Sequence, residues 1–179
     1  MRLESNDHPT ALLITGTVGA GKTSVAAAAG SILAEARIPH AVIDLDALSQ
    51  SWPTPPDDPF NLAMELRNLE SLARNYLSAG ACRLVLSGVV ETTAERARYR
   101  AALDVELCVC RLRADLAELH RRLRIRHAGA DPEMRWHLDR AGQLDQILDQ
   151  SAVDDFEVIS DGRTLTDIAA DVLTRTGWL

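Results

Sequence analysis

Gly16-Thr17-Val18-Gly19-Ala20-Gly21-Lys22-Thr23 stands between the apolar run Ala11-Leu12-Leu13-Ile14-Thr15 and the helix-forming stretch Thr23 to Arg37. It fits G-x-x-x-x-G-K-[ST] in the setting that motif requires, a strand before it and a helix after it. Glycines let such a loop curl so that successive backbone N–H groups point inward, and the amino end of the helix adds partial positive charge; together they cradle phosphate oxygens. In that cradle Lys22 would bridge the β- and γ-phosphates of a nucleotide and follow the charge as it moves, and the Thr23 hydroxyl would ligate Mg²⁺. Gly16, Thr17, Val18, Gly19, Ala20, Gly21, Lys22, Thr23 and Ser24 are therefore the candidate nucleotide-binding residues. Lys22 is also the single lysine among 19 basic residues, the rest being arginine. An Ala- and Arg-rich, Lys-poor composition is what GC-rich codon usage produces. Under it lysine persists mainly where a planar guanidinium cannot replace a compact ammonium.

The 179 residues, 46% of them hydrophobic, suit one domain spanning 1–179 with an ordinary buried core. A net charge of -7 excludes broad electrostatic attraction to nucleic acid or an anionic membrane, so any anion must be bound locally. Cys82, Cys108 and Cys110 form no CxxC pair and support neither a disulfide framework nor a zinc site; they read as thiols of a reducing compartment. The first ten residues lack an apolar signal region and no apolar run is long enough to span a bilayer, so the expectation is a soluble, cytoplasmic protein.

Outward from the loop, His40 to Leu45 reads as a second strand, and Ser51-Trp52-Pro53-Thr54-Pro55-Pro56-Asp57-Asp58-Pro59 is too proline-rich for a regular element, making it a loop or lid edge. Leu62, Leu66, Leu69, Ala73 and Leu77 recur at helical spacing, closed by Ala79-Gly80 before a third strand from Arg83 to Val90. A polar helix from Thr92 to Ala102, a fourth strand from Val105 to Leu112 and a helix with the stripe Leu112, Leu116, Leu119 and Leu123 follow. Then come a helix from Asp131 to Gln150, a fifth strand from Asp155 to Ser160, and a final helix. Thr164 and Asp167 make a capping box for that last helix, with Leu165, Ile168, Ala169, Val172 and Leu173 as its core face. Apolar strands alternating with helices predict an α/β fold, a parallel sheet of five strands covered on both faces.

The reaction depends on what surrounds the phosphates. Val42-Ile43-Asp44-Leu45-Asp46 ends the second strand with two carboxylates at the sheet edge where ligands bind in open α/β folds. Spacing i, i+2 on a strand predicts both on one face, one to accept a proton from an acceptor hydroxyl and the other to orient a Mg²⁺-bound water. In His120-Arg121-Arg122-Leu123-Arg124-Ile125-Arg126-His127, Arg122 and Arg126 are i, i+4 neighbours that could close on a polyphosphate from a lid at about 120–140. The third strand runs into Ser87-Gly88-Val89-Val90-Glu91 with no Asp, so metal positioning falls to Thr23, Asp44 or Asp46 and waters. Trp52, Ser87, Gly88 and Arg98 are candidate acceptor contacts beside Asp44 and Asp46. Arg96, Tyr99 and Arg100 either face the acceptor or belong to a solvated helix.

With these pieces placed, the chain resembles the small P-loop kinases of metabolites: gluconate and shikimate kinases, adenylylsulfate kinase and chloramphenicol phosphotransferase. The element order agrees over nearly the whole chain, while the P-loop is the one specific motif. The resemblance implies a three-layer P-loop NTPase fold with strand order 2-3-1-4-5 and a small helical lid. It also implies ATP and Mg²⁺, and an acceptor-facing Asp at the end of the second strand, matched by Asp46, or by Asp44 if the register shifts. Its lid arginines match Arg122 and Arg126, and its adenine-holding loop matches Ser160-Asp161-Gly162-Arg163. The Pro-rich segment from Trp52 to Phe60 matches no acceptor motif of that group. The expectation is an ATP-dependent phosphotransferase acting on a hydroxyl of a small molecule, with neither nucleic acid nor membrane as partner and a homodimer compatible with it. An ATP-sensing regulatory module and a nucleoside or nucleotide kinase remain as alternatives.

Overall fold

The computed structural model describes residues 8–115, 117–119, 121 and 132–179, with the backbone alone for 132–139 and 141. The elements run β1 (Thr10–Gly16), α1 (Lys22–Glu35), β2 (His40–Asp44), a 3₁₀ turn (Leu45–Ala47), α2 (Leu62–Ser78), β3 (Arg83–Ser87), α3 (Thr93–Leu103), β4 (Glu106–Arg113), α4 (Pro132–Ser151), β5 (Phe156–Ile159) and α5 (Leu165–Arg175). All four strand pairings are parallel and the sheet order is β2-β3-β1-β4-β5. Parallel strands need crossovers, and the helices supply them on both faces.

Strand alternation divides the core in two. Ala11, Leu13, Ile43, Leu84, Leu86 and Val109 face α2, α3 and α4, meeting Leu69, Ala73, Leu103, Leu144 and Leu148. Leu12, Ile14, Val85, Cys110 and Leu112 face α1 and α5, meeting Val25, Ala29, Leu33, Ile168 and Val172. Each fully buried Leu or Ile in these layers contributes about 1.5–3 kcal/mol. Cys110 is buried and Cys108 half-buried, both free thiols on one face of β4 as the spacing predicts. Burial pushes the Cys108 thiol up to about 11, which leaves it a weak nucleophile at neutral pH.

Helix ends follow local chemistry. Thr92 caps α3 by accepting from the Glu95 amide, and Thr164 caps α5 by accepting from the Asp167 amide, so the capping box is present. Leu165 departs from the expected core face of α5: it is 48% exposed, being the first helical residue and turned off the buried stripe. The predicted stripe after β4 also changes. Leu112 belongs to β4, Leu119 is buried, and Leu116 and Leu123 lie outside the described residues.

One polar tether sits inside the sheet. Arg111 on β4 is 1% exposed, and its guanidinium donates to Asp149 Oδ1 at 2.7 Å and to Asp145 Oδ1 at 2.8 Å on α4. An arginine buried between Cys110 and Leu112, facing two carboxylates one helical turn apart, pins α4 over β4. Arg96 on α3 performs a similar task at the amino end of the same edge, donating to both oxygens of Asp155 ahead of β5.

Candidate functional site

The carboxyl ends of β1, β2 and β3 open onto one cleft of about 1400 Å³. Its phosphate side is the loop between β1 and α1. Gly16 ends β1 at φ +146, and a Cβ there would stand 2.6 Å from the Leu112 carbonyl of the neighbouring strand, so only glycine lets the two backbones approach. Gly21 precedes α1 in the left-handed region at φ 92 and offers no side chain to cap the helix. Lys22, Thr23 and Ser24 of the uncapped first turn line the cleft with Val18, Gly19 and Gly21. The Lys22 ammonium folds back over the loop, donating to the carbonyls of Gly16 and Thr17 at 3.0 Å each. Gly16, Thr17 and Ala20 form the curl behind these residues: Ala20 N–H donates to the Thr17 carbonyl, and Thr17 is buried.

Asp44 and Asp46 both line the cleft, by a geometry other than the expected one. β2 ends at Asp44, and Asp46 sits in the 3₁₀ turn, so strand alternation does not align them. Instead Asp44 Oδ1 accepts from the Asp46 amide at 3.2 Å while Leu45 between them is buried, and the turn carries both carboxylates to the opening. Asp44 is in parallel register with Ser87, so both side chains leave the sheet on the same face, the one covered by α1.

The Thr23 hydroxyl and the Asp44 and Asp46 carboxylates are hard oxygen donors suited to Mg²⁺, which takes one or two carboxylates and completes its shell with water and phosphate oxygens. The buried Ser87 hydroxyl has no hydrogen-bond partner among the described residues and stands in register with Asp44. Among the described residues no group of three or more His, Cys, Asp or Glu could hold a metal ion by protein ligands alone.

Opposite the P-loop the wall comes from three segments that sequence reasoning treated separately. The Pro-rich loop contributes Asp57, Asp58 and Phe60; α2 contributes Leu62, Ala63 and Glu65; α3 and the turn before it contribute Glu91, Glu95, Arg98 and Tyr99, with Arg140 and Leu144 of α4 closing the side. Asp58 caps α2 by accepting from the Leu62 and Ala63 amides at 2.9 Å each, and those two bonds hold its pKa below the usual value. Asn61, 3% exposed, donates to the Ser49 carbonyl at 2.9 Å and fastens the loop after Asp46 to the start of α2.

Glu65 is the site residue most easily overlooked. It is 8% exposed, and its Oε1 accepts from the Tyr99 hydroxyl at 2.5 Å. Burial raises its pKa to about 7; the Tyr99 bond opposes this, and Asp46, Glu95 and Asp58 add to it. Its signal was present: Leu62, Glu65 and Leu69 share helical spacing, so a carboxylate interrupts the apolar stripe of α2.

Other candidates fall elsewhere. Trp52 is 93% exposed and does not line the cleft. Ser87 is 1% exposed, and Gly88 packs behind the wall, where a Cβ would meet Leu45 Cδ1 at 2.6 Å; neither lines the cleft. Arg98 and Tyr99 do line it, whereas Arg100 pairs with Glu106 on the far side of α3. Arg163 sits after β5, its guanidinium on Asp171 at 2.9 Å and on the Asp167 and Ile159 carbonyls, outside the cleft lining. Arg122 and Arg126, with most of the expected lid, lie outside the described residues. No described helix is long and apolar enough to cross a membrane.

No protein-family model and no curated protein sequence matches the chain. Solved structures do. A gluconokinase from Sinorhizobium meliloti 1021 superposes with a TM-score of 0.62 at 18% identity, over 95% of this chain and 93% of that one. A tunicamycin resistance protein from Deinococcus radiodurans gives 0.64 at 19% identity, over 95% and 96%. An APS kinase from Mycobacterium tuberculosis, solved with AMPPNP and APS, gives 0.60 at 23% identity, over 95% and 98%. Likeness at this level of identity concerns architecture, and with the strand order and the P-loop in place it establishes that this chain has the P-loop kinase fold.

Proposed function

We propose that the chain is an ATP- and Mg²⁺-dependent phosphotransferase that moves the γ-phosphoryl group of ATP to a hydroxyl of a small molecule. The observation that carries this reading is the continuity of the cleft: the P-loop residues Val18, Gly19 and Gly21 to Ser24, the carboxylates Asp44 and Asp46, and a chamber walled by α2 and α3 share one space. A nucleotide sensor needs the first of these alone.

Asp46 accepts the proton of the acceptor hydroxyl as its oxygen bonds to the γ-phosphorus; the bond from that phosphorus to the bridging oxygen breaks, and ADP leaves. Lys22 exchanges its loop carbonyls for phosphate oxygens and stabilises the charge that develops on them. The Thr23 hydroxyl and Asp44 would hold Mg²⁺, which would supply positive charge against the phosphate oxygens. Arg122 and Arg126 clamp the phosphates from the lid, and the loop Ser160 to Arg163 receives the base.

The test is incubation of the full chain with ATP, Mg²⁺ and a panel of hydroxyl compounds, read by mass spectrometry for a phosphorylated product. Product that disappears in K22A supports the reading. Tight ATP binding with no transfer to any acceptor supports a sensor instead, and competition by nucleosides for the acceptor site marks a nucleoside kinase.

A further inference from the structure

Leu84-Val85-Leu86 of β3 is apolar, and Ser87 ends the strand with a hydroxyl at the sheet edge where ligands gather. Ser87 is 1% exposed, and its Oγ is buried with no hydrogen-bond partner among the described residues. A buried hydroxyl left unpaired is costly, and an alanine at the same place would bury no polar atom. Ser87 therefore destabilises the nucleotide-free protein, and its presence is explained if a partner reaches it only in the liganded site.

Strand register limits what that partner can be. Ser87 lies between Ile14 of β1 and Asp44 of β2. Ile14 offers a carbonyl that already accepts from the Gly88 amide at 3.2 Å. Thr15, one residue on, turns to the opposite face and accepts from the Val90 amide. Asp44 and Ser87 share the α1 face, because two residues earlier on each strand Val42 lies against Gly30 of α1 and Val85 packs in the α1 layer. Register neighbours stand about 4.8 Å apart across a sheet, so rotation about one χ1 brings a hydroxyl within hydrogen-bond reach of a carboxylate. Asp44 Oδ1 accepts from the Asp46 amide, and its other oxygen accepts from no described residue.

We infer that Ser87 is a positioning residue of the cation site: in the Mg²⁺- and nucleotide-bound protein its hydroxyl donates to one oxygen of Asp44 and fixes the direction in which Asp44 presents the other. The inference rests on the phosphotransferase reading, in which Thr23 and Asp44 hold Mg²⁺. Ser87 does not line the cleft, so it touches neither nucleotide nor cation and acts through Asp44 alone. Carboxylates that bind a metal are themselves held by hydrogen bonds, and loss of such a bond typically lowers metal affinity by about 10- to 100-fold. With a serine rather than an acid at the end of β3, the charge that meets the cation comes from β2, and β3 supplies its orientation.

The full chain and its S87A variant are compared in two measurements. The first is thermal unfolding by circular dichroism without nucleotide or Mg²⁺, where S87A should unfold at the same temperature as the parent or higher. The second is calorimetric affinity for a non-hydrolysable ATP analogue, in EDTA and across a Mg²⁺ series. Affinity in EDTA should be unchanged in S87A, while the Mg²⁺ concentration that gives half of the full tightening should rise about tenfold. D44A should raise that concentration at least as far. A packing role for Ser87 would appear as a lowered melting temperature with weaker binding at every Mg²⁺ concentration, EDTA included, and would overturn the inference. A parent-like Mg²⁺ response in S87A or in D44A also overturns it. A parent whose affinity ignores Mg²⁺ removes the cation site, and the role of Ser87 with it. Absence of phosphorylated product from every acceptor, with the S87A shift present, removes phosphotransfer and leaves Ser87 in its role.

Discussion

Replacing Glu65 by Gln removes a titrating carboxyl from the chamber while keeping the side chain's size and its acceptor for the Tyr99 hydroxyl. Burial, with Asp46, Glu95 and Asp58 nearby and Tyr99 opposing, raises the Glu65 pKa from 4.5 to about 7. At 1.36 kcal/mol per pH unit that interval corresponds to about 3 kcal/mol, and cleft water screening the open oxygen brings it nearer 2 kcal/mol. The fold favours the neutral carboxyl. Its contribution is therefore fully present below the unfolded value of 4.5 and is lost as the pH rises through about 7. The E65Q variant has no such titration, so its stability relative to the parent should grow by about 2 to 3 kcal/mol between about pH 5 and pH 8.5. In a chain of this length that is roughly 5 to 10 °C in Tm. Thermal unfolding of both proteins followed by circular dichroism across that range measures it, since titrating groups that do not interact with Glu65 cancel in the difference. Two curves that stay parallel would refute the reasoning, because Glu65 would then ionise as freely in the folded cleft as in the unfolded chain.

Lys22→Ala should abolish transfer with an unchanged circular dichroism spectrum, since the ammonium contacts loop carbonyls but packs no core; undiminished turnover would remove it from the site. Asp46→Asn should cut turnover by about a hundredfold or more while ATP affinity, measured by calorimetry, changes little; equal loss of both would make Asp46 a structural cap of the turn. Gly88→Ala drives a methyl into Leu45, at 2.6 Å from Cδ1 and 2.8 Å from Cβ, and should shift the turn that carries Asp46. The expected outcome is a loss of about 1–3 kcal/mol in stability together with reduced turnover, read by urea unfolding and product assay; full activity would detach Gly88 from the placement of Asp46. Arg111→Met removes the buried cation that joins Asp145 and Asp149, leaves two part-exposed carboxylates of which Asp149 keeps Arg113, and should cost about 1 kcal/mol in urea unfolding; no loss, or a gain, would show that α4 is held by its apolar face alone.

What the sequence determined by itself was local. The P-loop is legible because its chemistry is contiguous: glycines for the curl, a lysine for phosphate and a threonine for metal must occupy fixed places between a strand and a helix. The element order is legible for a related reason, since strand and helix periodicities are short-range, and parallel pairing follows from strands apolar on both faces. Thr164 with Asp167 announced the start of α5, and Asp44 and Asp46 announced a carboxylate pair beside the loop, although the strand ended one residue too early for the expected alignment. Tertiary structure alone decided the chamber. Asp58, Glu65 and Tyr99 come from a loop, α2 and α3, and no spacing along the chain reports that they meet. The same holds in reverse for Trp52, which looked like a ligand contact and points to solvent, and for Gly88, whose missing side chain makes room for Leu45. Backbone geometry repeats over a few residues and can be read in one dimension, whereas the field inside a cleft is a sum over charges that only the fold brings within reach of each other.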